Sequence, residues 1–107
     1  MNSRLYQQAA AAIIAAALLS QLAGCGYPQV SPKTYELSKA LYSVCNQKSA
    51  ERLPIISELI QDSLADGSIG ESEGKWLNDI IAIAQNGDWE SAAQSARRIL
   101  ADQVDRQ

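Results

Sequence analysis

Histidine is absent from the 107 residues, which removes the usual proton shuttle and the commonest transition-metal ligand. Cysteine is nearly absent: Cys25 and Cys45 are too few for a structural zinc site. Basic side chains are in the minority, nine Lys and Arg against twelve Asp and Glu, for a net charge of −3, and they are not clustered. Nucleic acid requires a basic face and anionic lipid head groups a polybasic one, so neither is an expected partner through charge. The glycines stand singly, with no Gly-rich loop to cradle a phosphate. No stretch carries the signature of a strand. No apolar run reaches the roughly 20 residues that a membrane-crossing helix needs.

What the chain does have begins at its start. Met1 to Arg4 supplies one basic side chain beside the terminal amine, and Ala9 to Leu19 is an uncharged run of 11 residues. Runs of about 10–14 apolar residues are typical of secretory signals. Leu22-Ala23-Gly24-Cys25 follows it. This tetrad resembles the lipobox of bacterial lipoproteins. The resemblance implies cleavage between Gly24 and Cys25 and acylation of Cys25 with two or three chains. It also implies a bacterial cell-envelope location. Gly26, rather than Asp, follows the cysteine, and the resemblance then implies the outer membrane facing the periplasm, with the cytoplasmic membrane as the alternative. One acyl chain holds a protein marginally, whereas two or more anchor it stably. An ordinary secretory signal also ends in small residues, so a soluble secreted helical protein is the competing expectation. With Cys25 acylated, Cys45 has no partner within the chain. It is expected as a small buried hydrophobe on a helix, or else in an intermolecular disulfide.

The expected organisation is therefore a signal peptide over residues 1–24, a lipidated Cys and short linker over 25–31, and a small helical domain over 32–107. A domain of about 75 residues buries around 60% of its unfolded surface, so its stability margin is narrow. Gly26 to Val30 is too short and too punctuated by Pro28 to form an element, and it keeps the domain close to the lipid.

Four helices are predicted. Ser31-Pro32 starts the first, to about Asn46, with Leu37, Ala40, Leu41, Val44 and Cys45 on one face. Ser49 is the expected cap of the second, from about Ala50 to Ala65, with Leu53, Ile56, Leu59, Ile60 and Leu64 as its apolar stripe. A later start at Arg52 or Leu53 would make Pro54 one of its first residues. Asp66-Gly67 ends it. Ile69 is the expected hydrophobic plug of the next turn, and Gly70 with Glu73 brackets the start of a third helix to about Asn86. Its apolar face is Trp76, Leu77, Ile80, Ile81, Ile83 and Ala84. Gly87 stops it and Asp88 caps a fourth, Trp89 to about Val104. Trp89, Ala92, Ala93, Ala96, Ile99 and Leu100 form the inner face there. The fold class is all-α: two helical hairpins packed into a bundle of four short helices.

Residues 62–73, Asp-Ser-Leu-Ala-Asp-Gly-Ser-Ile-Gly-Glu-Ser-Glu, are similar to an EF-hand calcium loop, with Asp62, Asp66 and Glu73 at ligand positions and Gly67 at the sharp turn. Leu64, however, stands where the loop needs an oxygen, and it continues the stripe of a helix. Helix–turn–helix punctuation accounts for the same pattern without metal. A degenerate calcium-binding module is thus the alternative reading. Catalysis has less support. No histidine is present to activate a serine, the pairs Glu71/Glu73 and Asp62/Asp66 fall at helix ends, and Lys39, Lys48 and Lys75 would each need a buried site to act as bases. The expected function is non-enzymatic and without cofactor: a lipid-anchored module that contacts another envelope protein or itself. Tyr35 and Tyr42, seven residues apart on one flank of the first helix, and Trp76 and Trp89 are the candidates for that contact surface.

Overall fold

The computed structural model describes residues 27–104. The expected signal peptide, residues 1–24, and the expected cleavage and lipidation site, Gly24 and Cys25, lie outside the described residues. Within them the chain is all-α, with four helices: α1 Pro32–Asn46, α2 Leu53–Asp66, α3 Glu71–Gln85 and α4 Trp89–Val104. No strand occurs among the described residues. None of these helices is long and apolar enough to cross a membrane.

Each helix is punctuated by chain-local chemistry. The Ser31 hydroxyl accepts the Thr34 N–H at 3.2 Å, and Pro32 follows, where a missing N–H leaves no helical bond unmade. The Asp88 carboxylate accepts the Ser91 N–H at 3.3 Å and caps α4. α1 and α3 end alike. The N–H of the left-handed residue and that of its successor turn back onto the last helical turn, Lys48 to Cys45 and Ser49 to Val44, Gly87 to Ala84 and Asp88 to Ile83. The left-handed residue is glycine in one case and Lys48, at φ 52°, in the other.

The start of α2 differs from the expected cap at Ser49. Ser49–Arg52 form a turn in which the Ser49 carbonyl accepts the Arg52 N–H, and Arg52 takes the cap position without a side-chain bond. Pro54 decides this. A helix begun at Ala50 would need a Pro54 N–H that does not exist, and the ring would clash with the Ala50 carbonyl. Started at Leu53, the helix puts Pro54 in its first turn.

The core is made of Leu37, Leu41, Val44, Cys45, Leu53, Ile56, Ile60, Ile69, Leu77, Ile80, Ile81, Ala84, Ile99 and three alanines of α4, Ala92, Ala93 and Ala96. Ile69 fills the α2–α3 turn as the expected plug. Leu59, assigned to the inner stripe of α2, is instead 41% exposed, beside Ile55 at 57%. The buried line of α2 runs through Leu53, Ile56, Ile60 and Ser63, and Leu59 projects off its edge. The most extensive helix interface joins the first and last helices, α1 and α4. Ala92 and Ala96 are fully buried and Ala93 nearly so; Ala93 shares a hollow with Tyr42 and Cys45 of α1. The small face of α4 thus admits α1 as well as its hairpin partner α3. α2 contacts α1 and α3 and makes no interface with α4.

Gly74, in the first turns of α3, is buried. A Cβ there would stand 2.6 Å from Leu64 Cδ2 of α2. A helical glycine sacrifices about 1 kcal/mol relative to alanine, and here it makes room for the side chain of the helix alongside.

Candidate functional site

The end of the bundle that receives the chain from Cys25 is built from side chains reaching across the sequence. Residues 27–30 form no regular element, yet Tyr27 and Val30 pack against the core. The Tyr27 N–H donates to Asp102 Oδ2 at 2.8 Å and the Val30 N–H to Gln103 Oε1 at 3.0 Å. Gln103 Nε2 donates in turn to the Pro28 carbonyl at 2.8 Å. Gln103 is thereby a buried amide with both its functions used, which is what makes its burial tolerable. The Tyr27 ring meets Trp76 edge-on, centroids 5.1 Å apart and planes at 70°, a favoured aromatic geometry.

Glu73 ties two helix starts together. Its Oε1 accepts the Gly70 N–H at 2.8 Å, half of a capping box that Gly70, lacking a side chain, cannot complete. Its Oε2 accepts both the Ser31 N–H at 2.7 Å and the Ser31 hydroxyl at 3.1 Å. Partial burial pushes this carboxyl up, but hydrogen bonds from the Gly70 and Ser31 backbone and from the Thr34 and Ser31 hydroxyls outweigh it and hold the group below its usual range. The dipoles of α1 and α3 both point their positive ends at it.

The calcium-loop residues take up other tasks. Asp62 is exposed on α2, and Leu64 lies inside that helix. Asp66 accepts the backbone N–H of Ser68 at 2.8 Å and also its hydroxyl, and these bonds, the hydroxyl's first, lower its carboxyl. Glu73 has both oxygens turned to the chain's own donors. Among the described residues no three His, Cys, Asp or Glu side chains gather as a metal cluster would.

The four aromatic candidates separate into three places. Trp76 meets Tyr27 edge-on at the entry end. Tyr35 borders a surface hollow of about 480 Å³ with Val30, Lys39 and Gln103, and Lys39 Nζ sits 5.2 Å over its ring. Tyr42 and Trp89 border a second hollow, of about 370 Å³, at the opposite end, with Cys45, Lys48, Glu90 and Arg97. The structure therefore joins Tyr42 to Trp89 and leaves Tyr35 and Trp76 out of that surface. Both tryptophans are half-buried against the core rather than within it. Cys45 is a buried free thiol, and burial pushes its pKa up, which suppresses the reactive thiolate.

Sequence reasoning missed Tyr27, Asp102 and Gln103. The pattern of α4 carried a signal for one of them: Gln103 continues the inner line through Ala96 and Ile99. A polar residue there must find partners, and residues 28–30 supply them.

No protein-family model, curated protein or solved structure matches this chain.

Proposed function

We propose that this chain is a lipid-anchored, non-enzymatic helical module of the bacterial cell envelope. Acyl chains on Cys25 hold it in the membrane after cleavage at Gly24–Cys25, and it works by contact with another envelope protein or a second copy of itself. The observation that carries this reading is Leu22-Ala23-Gly24-Cys25 directly after an 11-residue apolar run. The folded chain already has ordered contacts at Tyr27, which supports a domain seated close behind its anchor. The outer membrane facing the periplasm is the favoured site, given Gly26 after the cysteine. The hollow bordered by Tyr42 and Trp89 is the favoured contact surface, since it pairs two half-buried aromatics with Arg97.

Intact mass of the protein extracted from cell membranes tests the anchor. The expected mass lacks residues 1–24 and carries acyl chains, and Cys25→Ala abolishes both changes. Retention of residues 1–24, or an unmodified thiol, overturns the reading.

A further inference from the structure

We propose that the entry end of the bundle docks directly on the bilayer surface, with the Tyr27–Trp76 pair at head-group level and the Tyr42–Trp89 hollow held away from it. This rests on the anchored reading above and adds to it a fixed orientation. Tyr27 follows Cys25 by two residues, so their α carbons are at most about 7 Å apart. Tyr27 is itself no part of a loose leash: its N–H is held by Asp102 and its ring by Trp76. The next residues are fastened by Gln103 and Glu73. An acylated cysteine lies at the boundary of head groups and hydrocarbon, so the end of the bundle containing Tyr27 cannot stand off from the membrane.

That end suits such a surface. Amphipathic Tyr and Trp rings favour the membrane–water boundary, and Val104, at the end of α4, is 60% exposed. Asp66, Glu71, Glu73 and Asp102 lie at this end with Lys33 and Lys75, a balance that is not basic, so the partner is a zwitterionic head-group layer held by acyl insertion rather than an anionic one held by charge. Trp89 opens α4, and its backbone is about 22 Å along the axis from the Val104 end. Trp76 lies five residues, about 7 Å, into α3 from the entry end, so the two tryptophans report on different depths of the molecule.

The full chain, purified from membranes and reconstituted in phosphatidylethanolamine–phosphatidylcholine vesicles, provides the test. Trp76→Phe and Trp89→Phe each leave one tryptophan, and a nitroxide-bearing head-group lipid is the quencher. The remaining Trp76 is expected to be quenched several-fold more strongly than the remaining Trp89. Because Trp76→Phe removes a packing partner of Tyr27, a second pair avoids the interior. Val104→Cys and Ile55→Cys, both at exposed positions and each carrying a polarity-sensitive fluorophore, are expected to differ, with a blue shift on the vesicles for the first and none for the second. Equal quenching of the two tryptophans, or equal shifts at the two labels, overturns the docking while leaving the anchor intact. The mass of the same sample separates the two failures, since an unacylated Cys25 overturns anchor and docking together.

Discussion

At the end of the bundle where the chain enters, hydrogen bonds join residues 42 to 75 positions apart: Ser31 to Glu73, Val30 to Gln103, Tyr27 to Asp102. At the opposite end, the backbone bonds that close α1 and α3 run between residues five or fewer apart, around Lys48 and Gly87. The first kind exists only once α1, α3 and α4 have assembled, and part of it depends on a carboxylate staying ionised. The second kind forms within one helix and its own turn. One end is thus locked by tertiary structure and the other by local chain geometry, and substitutions at the two ends should behave differently.

The largest effect is expected at Glu73. Glu73→Ala removes the acceptor shared by Gly70 and Ser31, and hydrogen bonds to a charged group are worth about 1.5–3 kcal/mol. Thermal unfolding followed by circular dichroism should show a loss of about 2–3 kcal/mol, or roughly 10–20 °C for a domain this size, with Glu73→Gln losing less. The same carboxyl makes the lock pH-dependent. Its folded value lies below the usual 4.5, so the unfolded chain binds the proton more readily and stability rises with pH. The contribution is complete above about pH 4.5 and is lost as pH falls through the lowered folded value. In Glu73→Gln the part of the acid slope due to this group should disappear; an unchanged slope would show that Glu73 does not couple the two helix starts.

Gln103→Ala comes next. It leaves the Val30 N–H and the Pro28 carbonyl without their partner, and an expected loss of about 1–2 kcal/mol follows from that unsatisfied pair. Tryptophan fluorescence should report the loosening of residues 27–31 through Trp76, while Trp89 should be unmoved.

Gly74→Ala offers a test with a change of sign. Overpacking against Leu64 costs about 1–3 kcal/mol, which offsets a helix-propensity gain of about 1 kcal/mol, so a net loss of about 1 kcal/mol is expected. In a Leu64→Ala background the obstruction is gone, and the same substitution should stabilise by up to about 1 kcal/mol. A chemical-denaturation double-mutant cycle measures both.

The smallest effect belongs to the locally closed end. Lys48 holds a left-handed conformation that glycine adopts without steric penalty, so Lys48→Gly should stabilise by about 0.5–1 kcal/mol, a few degrees in Tm. A loss there would mean that the lysine side chain contributes to that end beyond its backbone.

The division between the two ends also explains what the sequence revealed. Helix periodicity, Ser31, Asp88, Gly67 and Gly87 are local signals, and they located all four helices and most of the core. Pro54 is local too, and it set the start of α2 once its missing N–H was weighed against a cap at Ser49. Leu59 fell outside the buried line of α2 and the polar Ser63 inside it, because an apolar stripe does not say which of its edges faces the neighbours. The entry lock was illegible for a different reason. Glu73 read as the partner of Gly70 at the start of α3 or as a calcium ligand, and nothing in residues 28–30 announces that the Gln103 amide, 73 to 75 positions away, will accept from Val30 and donate to Pro28. The sequence paired Tyr35 with Tyr42 on one flank of α1, but the two border different hollows; the pairing of Tyr42 with Trp89 follows from α1 lying against α4, a contact between the two ends of the described chain.

The missing interface between α2 and α4 has a consequence for how the molecule opens. α2 is held through α1 and α3, with Ile55 and Leu59 already facing water. Amide protons along its buried line should therefore exchange with solvent through a partial opening in which α1, α3 and α4 stay docked. This makes α2 a separable leaf of the bundle, and its lifting uncovers Ile56 and Ile60 long before the whole domain unfolds.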